Sequence, residues 1–245
     1  MNRDYFSQRS SIRKFTDQPI PDSLIEEMLE KAAHAPTTGT MQLYSVIITR
    51  EEDKKKQLTP CHFNQPASTS ATVLLTFCAD LNRFVKWCKN NNAEPGFDNF
   101  QSFMSAVFDT VILAQQFCTI AEMNGLGTCY LGTTTYTAPQ IAKILELPKR
   151  VIPILTIALG WPDENNKATD RINPSGFIHY EKYNDYTPEK ISAIYDYKDK
   201  IDENINFIKE NNKETLAQVF TDVRYPKENN ETFSKVFIDY IKTMI

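Results

Sequence analysis

Apolar residues at positions 24, 25, 28, 29 and 32 recur at helical spacing between Asp22 and Ala35. Ser23 and Glu26 are spaced as a capping box and Pro36 stops the pattern, which predicts a helix there. The runs Leu43 to Thr49 and Thr72 to Cys78 are short, rich in β-branched residues and bounded by polar segments, the pattern of buried strands. A helix is expected between them, near Glu51 to Leu58. Phe103 to Asn124 is apolar on most sides and ends at Gly125, a left-handed cap, so it reads as the central helix of the core. There follow a strand around Thr128 to Leu131, a helix from about Pro139 to Glu146 after a capping Thr137, and a strand from Ile152 to Leu159. From Pro188 onward the spacing predicts a helical tail with a tyrosine face (Tyr195, Tyr197) and a last helix beginning near Glu231. Such a tail packs either on its own chain or on a second subunit.

Composition narrows the picture. The 245 residues are 41% hydrophobic and 24% charged, enough to bury one sizeable core. With 27 basic and 31 acidic side chains, and no basic run beyond Lys54 to Lys56, the chain lacks the footprint of a nucleic-acid binder. Asp109, Gln115, Gln116 and Glu122 interrupt the longest apolar segment, so no membrane span is expected. The five cysteines are irregularly spaced with no C-x-x-C, pointing to a reducing, cytoplasmic setting. The start, Met1 to Phe6, runs directly into polar and charged sequence without a secretory apolar stretch.

Much chemistry is missing. His34, His62 and His179 cannot form H-E-x-x-H, and no metal site is expected. No Walker loop or G-x-S-x-G elbow occurs, and Gly125, Gly127 and Gly132 do not give G-x-G-x-x-G. What remains is Arg9-Ser10-Ser11-Ile12-Arg13, two guanidiniums four apart with hydroxyls between them, which suits a phosphate monoester; an exposed basic cap is the competing reading. The hydroxyl-rich loop Ala35 to Gln42 either holds a ligand or simply turns the chain.

Taken together, R-S-S-I-R-K-F-T-D-Q-P-I, a helix, A-P-T-T-G-T-M-Q, Gln65, N-G-L-G-T-C-Y-L-G from Asn124 to Gly132, L-G-W-P from Leu159 to Pro162, and Arg171 before I-H-Y-E-K-Y stand in a telling order. The combination resembles the flavin-dependent nitroreductase superfamily, in its larger NADPH-linked branch of nitroreductases and flavin reductases. The resemblance covers roughly residues 5 to 185.

That resemblance implies an α+β fold: a mixed, largely antiparallel sheet flanked by helices, a helical C-terminal extension, and two intertwined subunits with FMN at their interface. Residues 1–185 would form the FMN-binding domain and 186–245 the extension. It further implies that Arg9 and Ser11 hold the FMN phosphate with Arg171, and that Arg13 lies near the N1/O2 edge of the ring. Thr37 and Thr38 match hydroxyl positions beside the ribityl chain, Gln65 an amide on the pyrimidine edge, and Leu131, Gly132 and Thr133 the backbone under the ring. Ser10 and Thr169 stand where relatives carry a basic residue, a departure that weakens the phosphate grip. The implied activity is ping-pong reduction of nitroaromatics, quinones or flavins by NAD(P)H, with the chemistry on the flavin and no catalytic side chain. The alternatives are a specific metabolite acceptor, or a flavin-binding protein without turnover.

Overall fold

The computed structural model describes residues 4–245; Met1, Asn2 and Arg3, part of the charged start read above, lie outside the described residues. Two compact units are formed, one by residues through Ala168 together with Phe233–Ile245, the other by Thr169–Thr232.

The first unit is organised on a four-stranded sheet of β1 (Tyr44–Thr49), β2 (Val73–Asp80), β3 (Gly127–Leu131) and β4 (Val151–Gly160), in the order β1-β2-β4-β3 with every neighbouring pair antiparallel. Around it run α1 (Asp4–Gln8), α2 (Asp22–Ala32), α3 (Glu52–Leu58), α4 (Pro66–Ser70), α5 (Asn82–Asn90), α6 (Phe100–Met123) and α7 (Ala138–Ile144). β2 is buried along its whole length because its alternate residues serve two cores. Val73, Leu75 and Phe77 pack with Ile25 and Met28 of α2 and Leu113 and Phe117 of α6. Leu74 packs on the opposite face with Leu58, Ala67 and Ile141. Each such fully buried side chain contributes roughly 1.5–3 kcal/mol.

α6 is long and apolar enough to cross a membrane by length and composition alone. It is instead the central helix of this unit: Phe103, Ala106, Leu113, Phe117 and Ala121 are buried, Asn99 caps its start by accepting from the Ser102 N–H at 2.9 Å, and Gly125 follows it at φ +82°.

Several local expectations change. α2 begins at Asp22 after Pro21 with no side-chain cap, so Ser23 and Glu26 lie inside the helix and form no capping box. Thr137 does not cap α7, because its hydroxyl donates to the Cys61 carbonyl at 2.9 Å instead. The last helix, α11 (Lys227–Met244), starts before Glu231, its first turn being wholly polar and hence silent in the hydrophobic pattern. Within the first unit, Phe237, Tyr240, Ile241 and Met244 of α11 close a third cluster with Leu43, Leu81 and Phe103.

The segment 9–16 runs over the β3/β4 edge of the sheet. Ile12 N–H donates to the Thr128 carbonyl at 3.0 Å, Thr16 N–H to that of Trp161 at 2.9 Å, and Phe15 bridges to Pro162. Gly127 and Gly160 oppose each other across the two strands. A Cβ on Gly127 would stand 2.8 Å from Ile12, and one on Gly160 2.7 Å from Phe15, so both close approaches require glycine.

The second unit contains α8 (Pro188–Tyr195), α9 (Asp202–Glu210) and α10 (Leu216–Val219), the last running into a π-helical turn over Phe220–Arg224. Asp199 accepts from the Leu216 N–H at 3.1 Å, and the Arg224 guanidinium lies 4.2 Å from the centre of the Phe207 ring.

Candidate functional site

Arg9 follows α1 and is half-buried against the end of α6. Its Nε lies 3.1 Å from both oxygens of Glu122 and its Nη2 is 3.0 Å from Oε1. Glu122 also accepts from the Tyr5 hydroxyl at 2.5 Å, from the Thr128 hydroxyl, and from the Cys118 thiol at 3.4 Å. Burial works against the charged guanidinium, but the Glu122 carboxylate outweighs it and Arg9 is held above the ordinary arginine value. Burial likewise pushes the Cys118 thiol up to about 11, so it serves as an S–H donor. Arg9 is therefore not the exposed basic cap that competed with the anion-site reading.

The rest of the strip is fastened through its backbone and through the buried Ile12 and Phe15, which leaves the side chains of Ser10, Ser11 and Arg13 available. The Asn166 amide donates to the Ser11 carbonyl at 3.0 Å, and the Ser70 hydroxyl to that of Arg13 at 3.0 Å. Glu164 accepts from the N–H groups of Arg13 (2.5 Å) and Lys14 (3.2 Å); the Arg13 bond foremost holds its carboxyl below the usual range. Arg13 is exposed, Ser10 and Ser11 are half-buried, and these side chains have no hydrogen-bond partner among the described residues.

Because Ser70 ends α4, the same bond ties the C-terminal end of this five-residue helix to the strip, and Gln65 immediately precedes its start. Gln65 follows Phe63 and Asn64, both left-handed at φ +54° and +51°. Such strained positions concentrate at ligand sites. The Gln65 side-chain amide has no partner among the described residues. His62, fully buried, sits 3.0 Å through Nδ1 from the Thr133 hydroxyl and so ties this turn to the one after β3. Burial pushes His62 down to about 4, leaving the imidazole neutral. Beside Thr133, Leu131 is buried while Gly132 is exposed, and a Cβ on Gly132 would meet nothing within 4 Å. Packing within the chain does not call for glycine there.

Thr37 and Thr38 are placed elsewhere along α6. Thr38 donates to Asp109 Oδ1 through its N–H at 2.8 Å and its hydroxyl at 2.9 Å, while Leu43 N–H reaches Oδ2 at 3.2 Å. This pins a loop in which Gly39, Thr40 and Gln42 all have positive φ. Asp109 and Glu122 stand roughly 20 Å apart along the helix at about 1.5 Å per residue. Thr169 and Arg171 belong to the second unit, where Arg171 Nη1 donates to the Thr169 hydroxyl and carbonyl and to the Asp170 carbonyl at 2.9 Å.

Asp109, Glu122, His62 and Glu164 were not anticipated as site residues. For the first two a signal existed: a carboxylate inside an almost wholly apolar helix must find donors when buried.

Comparison with known proteins places the fold that carries these residues. The profile of the Nitroreductase family matches residues 6–161. The chain is 31% identical over 186 residues to an oxygen-insensitive NADPH nitroreductase of Salmonella typhimurium, covering 76% of this chain and 75% of that one. It is 30% identical over 176 residues to an FMN reductase (NADPH) of Bacillus subtilis, covering 71% of each. A solved structure from Bacteroides fragilis NCTC 9343 superposes with a TM-score of 0.96 at 49% identity over 98% of both chains. With the family profile matched over most of the first unit and a relative above 30% identity, the chain belongs to the nitroreductase family.

Proposed function

We propose that this chain is an FMN-dependent oxidoreductase that uses NAD(P)H to reduce nitroaromatics, quinones or flavins. The observation that carries the reading is the gathering of the 9–13 strip, the turn before α4 and the Leu131–Thr133 turn by Ser70–Arg13, Ile12–Thr128 and His62–Thr133 hydrogen bonds. The side chains of this set fit FMN. Among the described residues Arg9 Nη1 and the Ser10 and Ser11 hydroxyls have no partner, and a Cβ on Gly132 would meet nothing within 4 Å. The names of the relatives, an NADPH nitroreductase and an FMN reductase, support the same cofactors.

In this reading Arg9, Ser10 and Ser11 hold the terminal phosphate. Arg13 would lie by the pyrimidine edge, where its fixed positive charge would favour the reduced, anionic ring. Gln65 would recognise that edge by its amide, and Leu131, Gly132 and Thr133 would supply backbone to the ring. Bound there, FMN supplies the exchange of two electrons between a reduced nicotinamide and a small-molecule acceptor. The residues of the chain bind, orient and exclude water, so none needs to act as acid or base.

A homodimer completes the reading. Phe108, Val111 and Ile112 expose an apolar face on α6 that a second subunit would cover. Thr38 is held roughly 20 Å along α6 from the Arg9 cluster, so Thr37 and Thr38 would serve a flavin held by a second subunit. The five unpaired cysteines suit a reducing, cytoplasmic setting.

The test is direct. Purified protein should be yellow and release FMN on denaturation, oxidise NAD(P)H with nitrofurazone, a quinone or FMN as acceptor, and scatter light as twice 28.2 kDa. Recovery of FAD alone, or a colourless protein that FMN does not reconstitute, would falsify the cofactor assignment.

A further inference from the structure

We infer that Glu122 is the positioning residue of the phosphate site: it fixes the Arg9 guanidinium side-on and so presents Nη1 to the anion. The inference rests on the reading of Arg9 as a phosphate ligand, and deepens it. An arginine on a short N-terminal strip has several rotamers, and an anion that must first select one binds more weakly. Here the selection is made by the protein. Nε and Nη2 are both committed to one carboxylate, Nη2 also approaches the Thr128 hydroxyl at 3.5 Å, and Nη1 has no partner among the described residues.

The carboxylate is itself immobilised. Its side chain is only 9% exposed, and it accepts from Arg9, Tyr5, Thr128 and Cys118 together. Thr128 lies on β3 and its carbonyl accepts from Ile12, so the strand that seats the strip also holds the residue that aims Arg9. With its lone pairs filled by these donors, Glu122 has little capacity left for a ligand.

Simple electrostatics and positioning by Glu122 predict opposite signs. A carboxylate beside a phosphate site repels the phosphate, so its removal should tighten FMN binding if charge alone mattered. Positioning predicts the opposite. Flavin-free protein is titrated with FMN and with riboflavin, which has the same ring and ribityl chain but no phosphate. Glu122→Ala should bind FMN about tenfold more weakly, equivalent to about 1.4 kcal/mol, and riboflavin as the wild type does. With Arg9→Ala already in place, Glu122→Ala should change FMN affinity no further, since the two act as one unit.

Should Glu122→Ala fail to fold, Glu122→Gln keeps the shape without the charge and should still weaken FMN several-fold while sparing riboflavin. Equal or tighter FMN binding by a folded Glu122 variant overturns the proposal, and so does a parallel loss of both flavins, which marks a structural role. Wild-type FMN binding by Arg9→Ala removes the phosphate role of Arg9 and this proposal with it. Weakened Arg9→Ala beside unaffected Glu122→Ala removes the positioning role alone.

Discussion

Thr38 donates twice to a single oxygen of Asp109, through its N–H and its hydroxyl, and the other oxygen takes the buried Leu43 N–H. One buried carboxylate thereby holds both ends of a loop containing three left-handed residues. Asp109→Ala strands these donors and should cost about 2–4 kcal/mol. Urea unfolding measures it, and an unchanged midpoint would mean the loop keeps its shape by other means.

Two glycines should respond in opposite ways. Gly160→Ala drives a Cβ to 2.7 Å from Phe15 and should destabilise the protein by about 1–3 kcal/mol through overpacking. Gly132→Ala meets no atom within 4 Å and should leave thermal stability within about 0.5 kcal/mol of the wild type. The second variant should nonetheless bind FMN more weakly, because the added methyl enters the space proposed for the ring. Unchanged flavin affinity in Gly132→Ala would place the ring elsewhere.

Arg9 and Arg13 separate binding from electronic tuning. Arg13→Ala should lower the midpoint potential of bound flavin and slow its reduction by NAD(P)H even at saturating FMN, since a charge-assisted bond to the reduced ring is roughly twice as strong as a neutral one. Arg9→Ala should weaken FMN binding and leave the potential of bound flavin nearly unchanged. Spectroelectrochemistry on both variants decides the matter; equal potentials throughout would end the division of labour.

His62 gives a pH dependence with a definite sign. Its imidazole titrates at about 4 in the fold and near 6.5 when unfolded, so between these values the unfolded chain binds the extra proton. Stability should therefore be level with respect to this group above about pH 6.5 and decline by up to about 3 kcal/mol as pH falls toward 4. His62→Gln should flatten that stretch of the stability–pH curve. A slope equal to that of the wild type would assign the acid sensitivity to other groups.

The elements most legible in the sequence were those whose burial is periodic or continuous: α2, α6 and the strands. β2 was readable because both its faces are buried, and α6 because a single left-handed glycine ends it. Caps were less so. Ser23 has the right residue type for a cap, yet Pro21 already sets the entry into α2, and the Thr137 hydroxyl finds a stronger claim in the Cys61 carbonyl. The start of α11 was hidden by a polar first turn. At the candidate site, Arg9 to Arg13 could be singled out by charge and hydroxyls, but their fastening could not. Glu164, Asn166 and Ser70 bind backbone atoms, and a backbone contact leaves no mark on the residue contacted.

The glycine-lined seat of the 9–16 strip also dictates when the site can exist. The partners of the strip, Thr128, Trp161 and Pro162, are synthesised more than a hundred residues after it, so the N-terminal arginines leave the ribosome long before there is a surface to receive them. Closing so long a loop is slow, and only the finished β3/β4 pair rewards it. Attachment of the strip is thus a late event in biogenesis. A chain truncated before Trp161 would carry Arg9, Ser11 and Arg13 intact and still have nowhere to seat the far end of the strip.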